Sequence, residues 1–208
     1  MNRDDLRYYV EDLGTFPAGT AERPAWQHIG HVDELVQDAL PALGPNYRQA
    51  AAQVAMHRTA VVADSAELTG PVILGPGCRV GPGAILRGGV WADQDVTVGP
   101  HSEIKGSIVF AGSTAAHRNY VGDSIIGRAV NLEAGAVLAN HFNERDDKNI
   151  YVLVSGRAVA TGLVKFGAIL GDGCRIGANA VTSPGTLLPP GTVVPRLALI
   201  DQLVTASG

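Results

Sequence analysis

The sequence predicts an all-β solenoid: a left-handed parallel β-helix of hexapeptide repeats, preceded by a small N-terminal helical arm. Three observations carry that prediction. Aliphatic residues recur every six positions over most of the chain, and glycine and small residues keep fixed places within each unit. Only 5% of the 208 residues are aromatic although 46% are hydrophobic. A chain so apolar and so poor in rings predicts a narrow interior filled by small aliphatic side chains.

The series runs Val62, Leu68, Leu74, Val80, Leu86, Ala92, Val98, Ile104 and Phe110. It resumes at Ile126, Leu132 and Leu138, and again at Leu170, Ile176, Leu188 and Val194. Gly75, Gly81, Gly99, Gly127, Gly171 and Gly177 follow the aliphatic position directly, and Ala66, Cys78, Ala84 and Ser102 stand four after it. Such a unit supplies one short strand and one corner, with the aliphatic residue pointing inward and glycine accepting the corner's backbone angles. Three units close a triangular coil, and stacked coils pair as parallel strands about 4.8 Å apart. A sandwich of short strands would need no such strict phase.

In chain order, residues 1–56 lack the repeat. HVDELVQDALPAL and YRQAAAQVAM have helical spacing there, which predicts the arm or cap. Residues 57–200 form the β-helix. Its phase slips between Phe110 and Ile126, and it is interrupted by an inserted loop at about 141–168. Insertions on a rigid solenoid favour function, and Lys148, Arg157 and Lys165 place cations in this one. Residues 201–208 read as a C-terminal tail.

A net charge of −4 and a pI near 5.8 exclude a general nucleic-acid surface. The opening MNRDDLRYYVEDLG has no apolar signal segment, and no stretch is long enough to span a bilayer, so the expectation is a soluble cytoplasmic protein with no membrane or nucleic-acid partner. Cys78 and Cys174 occupy equivalent places in the repeat and read as small buried side chains.

Arg87 and Lys105 are 18 residues apart, which is one coil, so both cations should stack on one face. Like charges that close repel, and an anion such as phosphate between them would explain their placement.

The next segment, AAHRNYVGDSIIGRAVNLEAGAVLANHFN, resembles the acetyltransferase domain of the bifunctional enzymes that join glucosamine-1-phosphate acetyltransferase to N-acetylglucosamine-1-phosphate uridyltransferase. The match lies in His117, Tyr120, Gly122 and Asp123, then Asn131, Ala134 and Gly135, then Asn140, with Arg87 and Lys105 at matching separations upstream. TGLVKFGAILGDGCRIGAN is similar to a longer-loop branch of the same group. The resemblance covers about residues 60–195. It does not extend to a uridyltransferase half, whose Gly-rich nucleotide-binding start is expected to be missing.

The resemblance implies a hexapeptide-repeat acyltransferase with acetyl-CoA as co-substrate. His117 would be the general base that deprotonates an amino sugar's amine, the Ala134 N–H would be the donor to the oxyanion, and Asn140 would orient the amine. Arg87, Lys105 and Tyr120 would hold the sugar phosphate, and Asn131 and His141 would line the sugar site. Ala134, Ala178 and Arg196 would contact the acyl donor, with Arg196 nearest its phosphates. Two positions depart from the family: His141 stands where Tyr is common and Glu133 where Gly is common. The first bears on sugar specificity, and the second brings a negative charge toward the transfer centre. His101, His117 and His141 lack the close pair of a three-histidine metal site, so no metal is expected. The expected assembly is a homotrimer. Two alternatives remain open: acetylation of a nucleotide-linked amino sugar, and a non-catalytic scaffold that binds sugar phosphate or sugar nucleotide.

Overall fold

The computed structural model describes residues 3–17 and 23–205. Residues 1–2 and 18–22 of the expected arm, and 206–208 of the expected tail, lie outside the described residues. The chain folds as a left-handed parallel β-helix of about eight coils. Short strands stack in register: Val61 pairs with Arg79 and Arg79 with Thr97, steps of one 18-residue coil.

Each coil crosses three faces. The arm face is built from Val54–His57, Val72–Leu74, the later halves of Ile85–Ala92 and Glu103–Val109, then Ile125–Ile126, Ala168–Leu170 and Thr186–Leu188. A second face holds the seven strands from Val61–Val62 to Val193–Val194. The third is built from Glu67–Thr69, the earlier halves of Ile85–Ala92 and Glu103–Val109, then Tyr120–Gly122, Val137–Leu138, Val181–Thr182 and Leu199–Ile200.

The interior of the prism contains aliphatic, alanine, cysteine and methionine side chains and, among the described residues, no ring. Leu74, Leu86, Leu132 and Leu138 are among its fully buried members. All four phenylalanines and both tryptophans lie instead in a second cluster, on the outside of the arm face. The two cysteines are free and buried; burial pushes the Cys78 thiol up to about 12 and raises Cys174 as well.

Three expectations need correction. Phe110 does not continue the inward series: the coil shortens by one residue where Gly88–Gly89 is matched by Gly106 alone, so Val109 pairs with Ala92 and Ile126 and takes the inward place. Phe110 then points outward against Phe16, with ring centroids 5.7 Å apart. The 17-residue step persists for two coils, as in Thr97 to Thr114 to Asn131, and this is the phase slip seen in the sequence. Second, YRQAAAQVAM is no helix. Tyr47–Ala51 and Val54–His57 form an antiparallel hairpin whose second strand already pairs with Val72–Leu74 as the first strand of the solenoid. Third, the glycine after each aliphatic position is not there for its angles. Its φ is ordinary, and a Cβ would strike the next coil: at Gly75 it would lie 2.8 Å from the Asp93 carbonyl carbon. Positive φ falls two residues later, at Gly77, Gly83, His101 and Gly135 among others.

The arm is helical where the chain is amphipathic. Leu6–Tyr9 is capped by the Asp5 side chain, a 3-10 segment spans Ala25–His31, and Val32–Ala39 carries Asp33 and Glu34 in its first turn, where the helix dipole favours acids. Phe16, Trp26, Ile29, Val32 and Val36 pack over Ile73, Trp91, Ile108, Phe110 and Ile125. Each ring or branched side chain so covered stabilises by about 1.5–3 kcal/mol before entropy is counted. Asp12 pairs with Arg128 at 2.6 Å, and the Asp172 N–H donates to the Tyr9 carbonyl at 2.8 Å, so the arm is fastened to its own chain's prism.

One buried group makes this packing sensitive to acid. His28 is 4% exposed, and its Nδ1 has no hydrogen-bond partner among the described residues. Burial, with Arg23 and His31 adding repulsion, lowers its pKa to about 4. The unfolded chain takes up this proton near the ordinary value of about 6.5 and the folded chain only near 4, so stability is intact above 6.5 and lost progressively as pH falls from 6.5 to 4. With allowance for solvent screening the loss is on the order of 2 kcal/mol. Both tryptophans sit in the arm cluster, so an acid titration of intrinsic fluorescence should report it. The transition is expected to flatten in His28→Phe.

The insertion leaves the prism after Asn140 and returns at Gly167. It carries the hairpin Tyr151–Val154 and Arg157–Ala160. Phe142, Ile150, Val152 and Phe166 seat it on the outer cluster, and Lys148 Nζ donates to the Phe142 and Asn143 carbonyls. That lysine therefore pins the loop, while Arg157 and Lys165 remain exposed.

Candidate active site

The corner between the second and third faces repeats one geometry on successive coils. The strand registers Val98, Ala115, Leu132, Ile176 and Val194 bring Pro100, His117, Ala134, Ala178 and Arg196 into a single column two residues further on. The N–H of each following residue donates to the column member of the coil before: Gly135 to the His117 carbonyl at 2.9 Å, Asn179 to Ala134 at 3.0 Å, Leu197 to Ala178 at 3.0 Å. Four of the residues singled out in the sequence thus line up along one edge. His117 to Arg196 spans three coil steps, on the order of 14 Å. The His117 side chain is exposed, and the Ala134 N–H has no acceptor among the described residues.

The third face begins at this corner. Arg87 pairs in register with Lys105, as the 18-residue spacing predicts. The repulsion expected between them is already relieved without a ligand. Glu103 accepts from Arg87 Nη2 at 2.6 Å and Nε at 2.9 Å, and both Asp123 oxygens accept from Lys105 Nζ at 2.8 Å. Lys105 keeps one ammonium proton, and Arg87 keeps part of its fork, half exposed. Asn140 Nδ2 donates to Asp123 as well, and its Oδ1 accepts from the Tyr120 hydroxyl at 3.3 Å. Burial, then the carboxylates of Glu103 and Asp123, raise the Tyr120 pKa, so it remains a neutral donor.

Arg87, Lys105, Tyr120 and Asn140 therefore form one connected cluster, and His141 adjoins it, exposed and held through Nδ1 to the Val164 carbonyl at 3.0 Å. Asn131 stands apart. It is exposed on the second face, around the corner, between Thr114 and Arg175.

Residues 68–198, more than half of the chain, match the family described as the GMPPB C-terminal domain. The chain belongs to this family. It is 33% identical over 123 residues to a bifunctional protein GlmU of Methanococcus vannielii, covering 59% of this chain and 29% of that protein. It is 35% identical over 122 residues to a bifunctional sugar-1-phosphate nucleotidylyltransferase/acetyltransferase of Sulfurisphaera tokodaii, covering 56% and 30%. The chain thus spans less than a third of the length of these relatives. Among solved structures, a putative acetyltransferase from Bacillus cereus is 14% identical, covering 69% of this chain and 74% of that one, with a TM-score of 0.48.

Sequence reading missed Glu103 and Asn119, and gave Asp123 no role. Asn119 is 2% exposed. Its Oδ1 accepts the His117 N–H at 3.0 Å, and its Nδ2 donates to the Glu133 carbonyl at 2.7 Å. The peptide held in this way presents its N–H at Ala134, so one buried side chain fixes the backbone at both residues. The signal was present: Asn119 fills the small-residue slot that Ser102 and Ala136 fill in neighbouring coils, and a larger polar group there needs partners.

Proposed function

We propose that this chain is an acetyl-CoA-dependent N-acetyltransferase acting on an amino-sugar phosphate such as glucosamine-1-phosphate. The observation that carries the reading is the corner column, which lines up a histidine, an unpaired backbone N–H and an arginine beside a face bearing Arg87, Lys105, Tyr120 and Asn140. An extended donor laid along the corner places its thioester near His117 and Ala134 and its phosphates toward Arg196. His117 takes a proton from the acceptor's ammonium, and the freed amine forms a C–N bond at the thioester carbonyl. The Ala134 N–H stabilises the resulting oxyanion. Collapse breaks the C–S bond and the imidazolium gives its proton to the thiolate; neutral His117 then takes the second proton from the acylated nitrogen and releases it to solvent, so the products are the N-acetyl sugar, CoA and one proton. Lys105 and Arg87 hold the acceptor's phosphate with the donors left by their carboxylate partners.

The proposed assembly is a homotrimer in the cytoplasm. The arm covers its own face, which leaves the two faces flanking the His117 corner available, and Val193, Leu197 and Leu199 are exposed along them by 55%, 79% and 69%. A monomeric mass at micromolar concentration would count against this.

Acetyl-CoA consumption measured with glucosamine-1-phosphate, unphosphorylated glucosamine and a nucleotide-linked amino sugar tests the acceptor. The phosphorylated sugar should react fastest. Preference for the nucleotide-linked sugar would favour the alternative suggested by exposed His141, and no reaction with any of them would favour a binding scaffold. Arg87→Ala and Lys105→Ala should raise KM for the phosphorylated acceptor more than they lower kcat, because each bond exists in ground and transition states alike. Equal parental activity toward phosphorylated and unphosphorylated sugar would remove the basis for that assignment.

A further inference from the structure

Glu133 sits at the corner, one residue before Ala134, and its carboxylate reaches along the column across two coils. Oε2 accepts from the Ala178 N–H at 2.9 Å and from Arg196 Nε at 2.8 Å, and Oε1 accepts from Arg196 Nη2 at 3.0 Å. A fork of guanidinium donors with a backbone N–H beside it is a built anion site, and here the chain fills it with its own anion. The pair is exposed, with 72% of the Arg196 side chain and 36% of the Glu133 side chain accessible, so solvent screens it and a competing polyanion can reach it.

We propose that Glu133 is a gate for the acyl donor: its carboxylate occupies the donors at Ala178 and Arg196, and a phosphate-bearing donor binds along the corner only by displacing it. This rests on the reading of the corner as the donor site. Glu133 thereby sets donor affinity and makes it dependent on ionic strength. Added salt weakens the Glu133–Arg196 pair and the phosphate–Arg196 pair together, so the net salt dependence of donor binding is shallower with the gate than without it. The gate acts mainly on the phosphate end. A donor fragment without phosphate meets it only at the Ala178 N–H, so its affinity depends far less on the charge at 133.

The test is calorimetric titration of CoA, and of pantetheine as the phosphate-free probe, into the full chain and into Glu133→Gln, Arg196→Ala and the double variant, each checked for an unchanged melting temperature. Glu133→Gln keeps size and removes charge. It should tighten CoA binding about tenfold, change pantetheine binding by no more than about twofold and steepen the salt dependence. Arg196→Ala should weaken CoA binding, and the tightening from Glu133→Gln should shrink in its presence to about the twofold limit set for pantetheine. CoA bound equally or more weakly by Glu133→Gln overturns the gate but leaves the donor site standing. CoA bound by neither the parent nor Glu133→Gln overturns the donor reading, and the gate with it.

Discussion

His117→Ala is expected to lower kcat by roughly two orders of magnitude or more while leaving CoA binding within about twofold. An ammonium ion has no lone pair with which to attack a thioester, so a base must take its proton. His117 is the histidine of the corner column, one coil from the Ala134 N–H, which has no acceptor among the described residues, whereas Glu133 beside it is engaged by Ala178 and Arg196. The substitution does not disturb the corner itself, because the bonds made by residue 117 within the coil stack are backbone bonds: its carbonyl accepts from Gly135, and its N–H donates to Asn119. Fold and donor docking should therefore survive. The deficit should shrink as pH rises, because a growing fraction of the acceptor amine is then already deprotonated. Acetylation at the parental rate by His117→Ala would eliminate the catalytic reading and leave the sugar-phosphate scaffold as the better account.

The inward series from Val62 to Ile104 was legible because a triangular coil forces one aliphatic side chain into the axis at every unit, and every residue named in that stretch packs there. Loss of one residue at Gly106 was not legible as a position. A period shows that phase has slipped by the time Ile126 is reached, but both Val109 and Phe110 are apolar, and only the packing of Phe16 and Trp91 decides which turns out. Residues 47–56 read as helix because alanine favours it locally, but pairing of Val54–Met56 with Val72–Leu74 overrides that propensity. In the site, the 18-residue spacing found the column of cations and stopped one step short. Asp123 lies 18 residues beyond Lys105, and its carboxylate, rather than a ligand, balances that lysine. Glu133 was visible as an odd charge, but its reach to Arg196, 63 residues away in sequence, required knowing that the insertion adds no height to the prism.

Gly99→Ala should destabilise the chain by roughly 3 kcal/mol or more, whereas Gly112→Ala should cost about 1 kcal/mol, although the second glycine is the one in a left-handed conformation. Gly99 is buried after the inward Val98, and a Cβ there would land on the Ala116 carbonyl of the next coil, with the Ala115 carbonyl oxygen 3.0 Å away. Neither residue can retreat: the Ala115 carbonyl accepts from the Gly99 N–H at 2.7 Å, and the Ala116 N–H donates to the Leu132 carbonyl of the next coil at 3.0 Å. The coils would have to separate locally, breaking ladder bonds around the segment that leads into His117. At Gly112 φ is +71° but no atom lies within 4 Å of an added Cβ, so only the local strain of the left-handed region is felt, which His101, Arg118 and Asn179 tolerate at φ of 56°, 49° and 56°. Chemical unfolding of the two variants beside the parent measures both costs. If Gly112→Ala proved the more damaging, corner angles rather than coil spacing would be what the repeat's glycines protect, and the close-approach explanation of the glycine slot would be wrong.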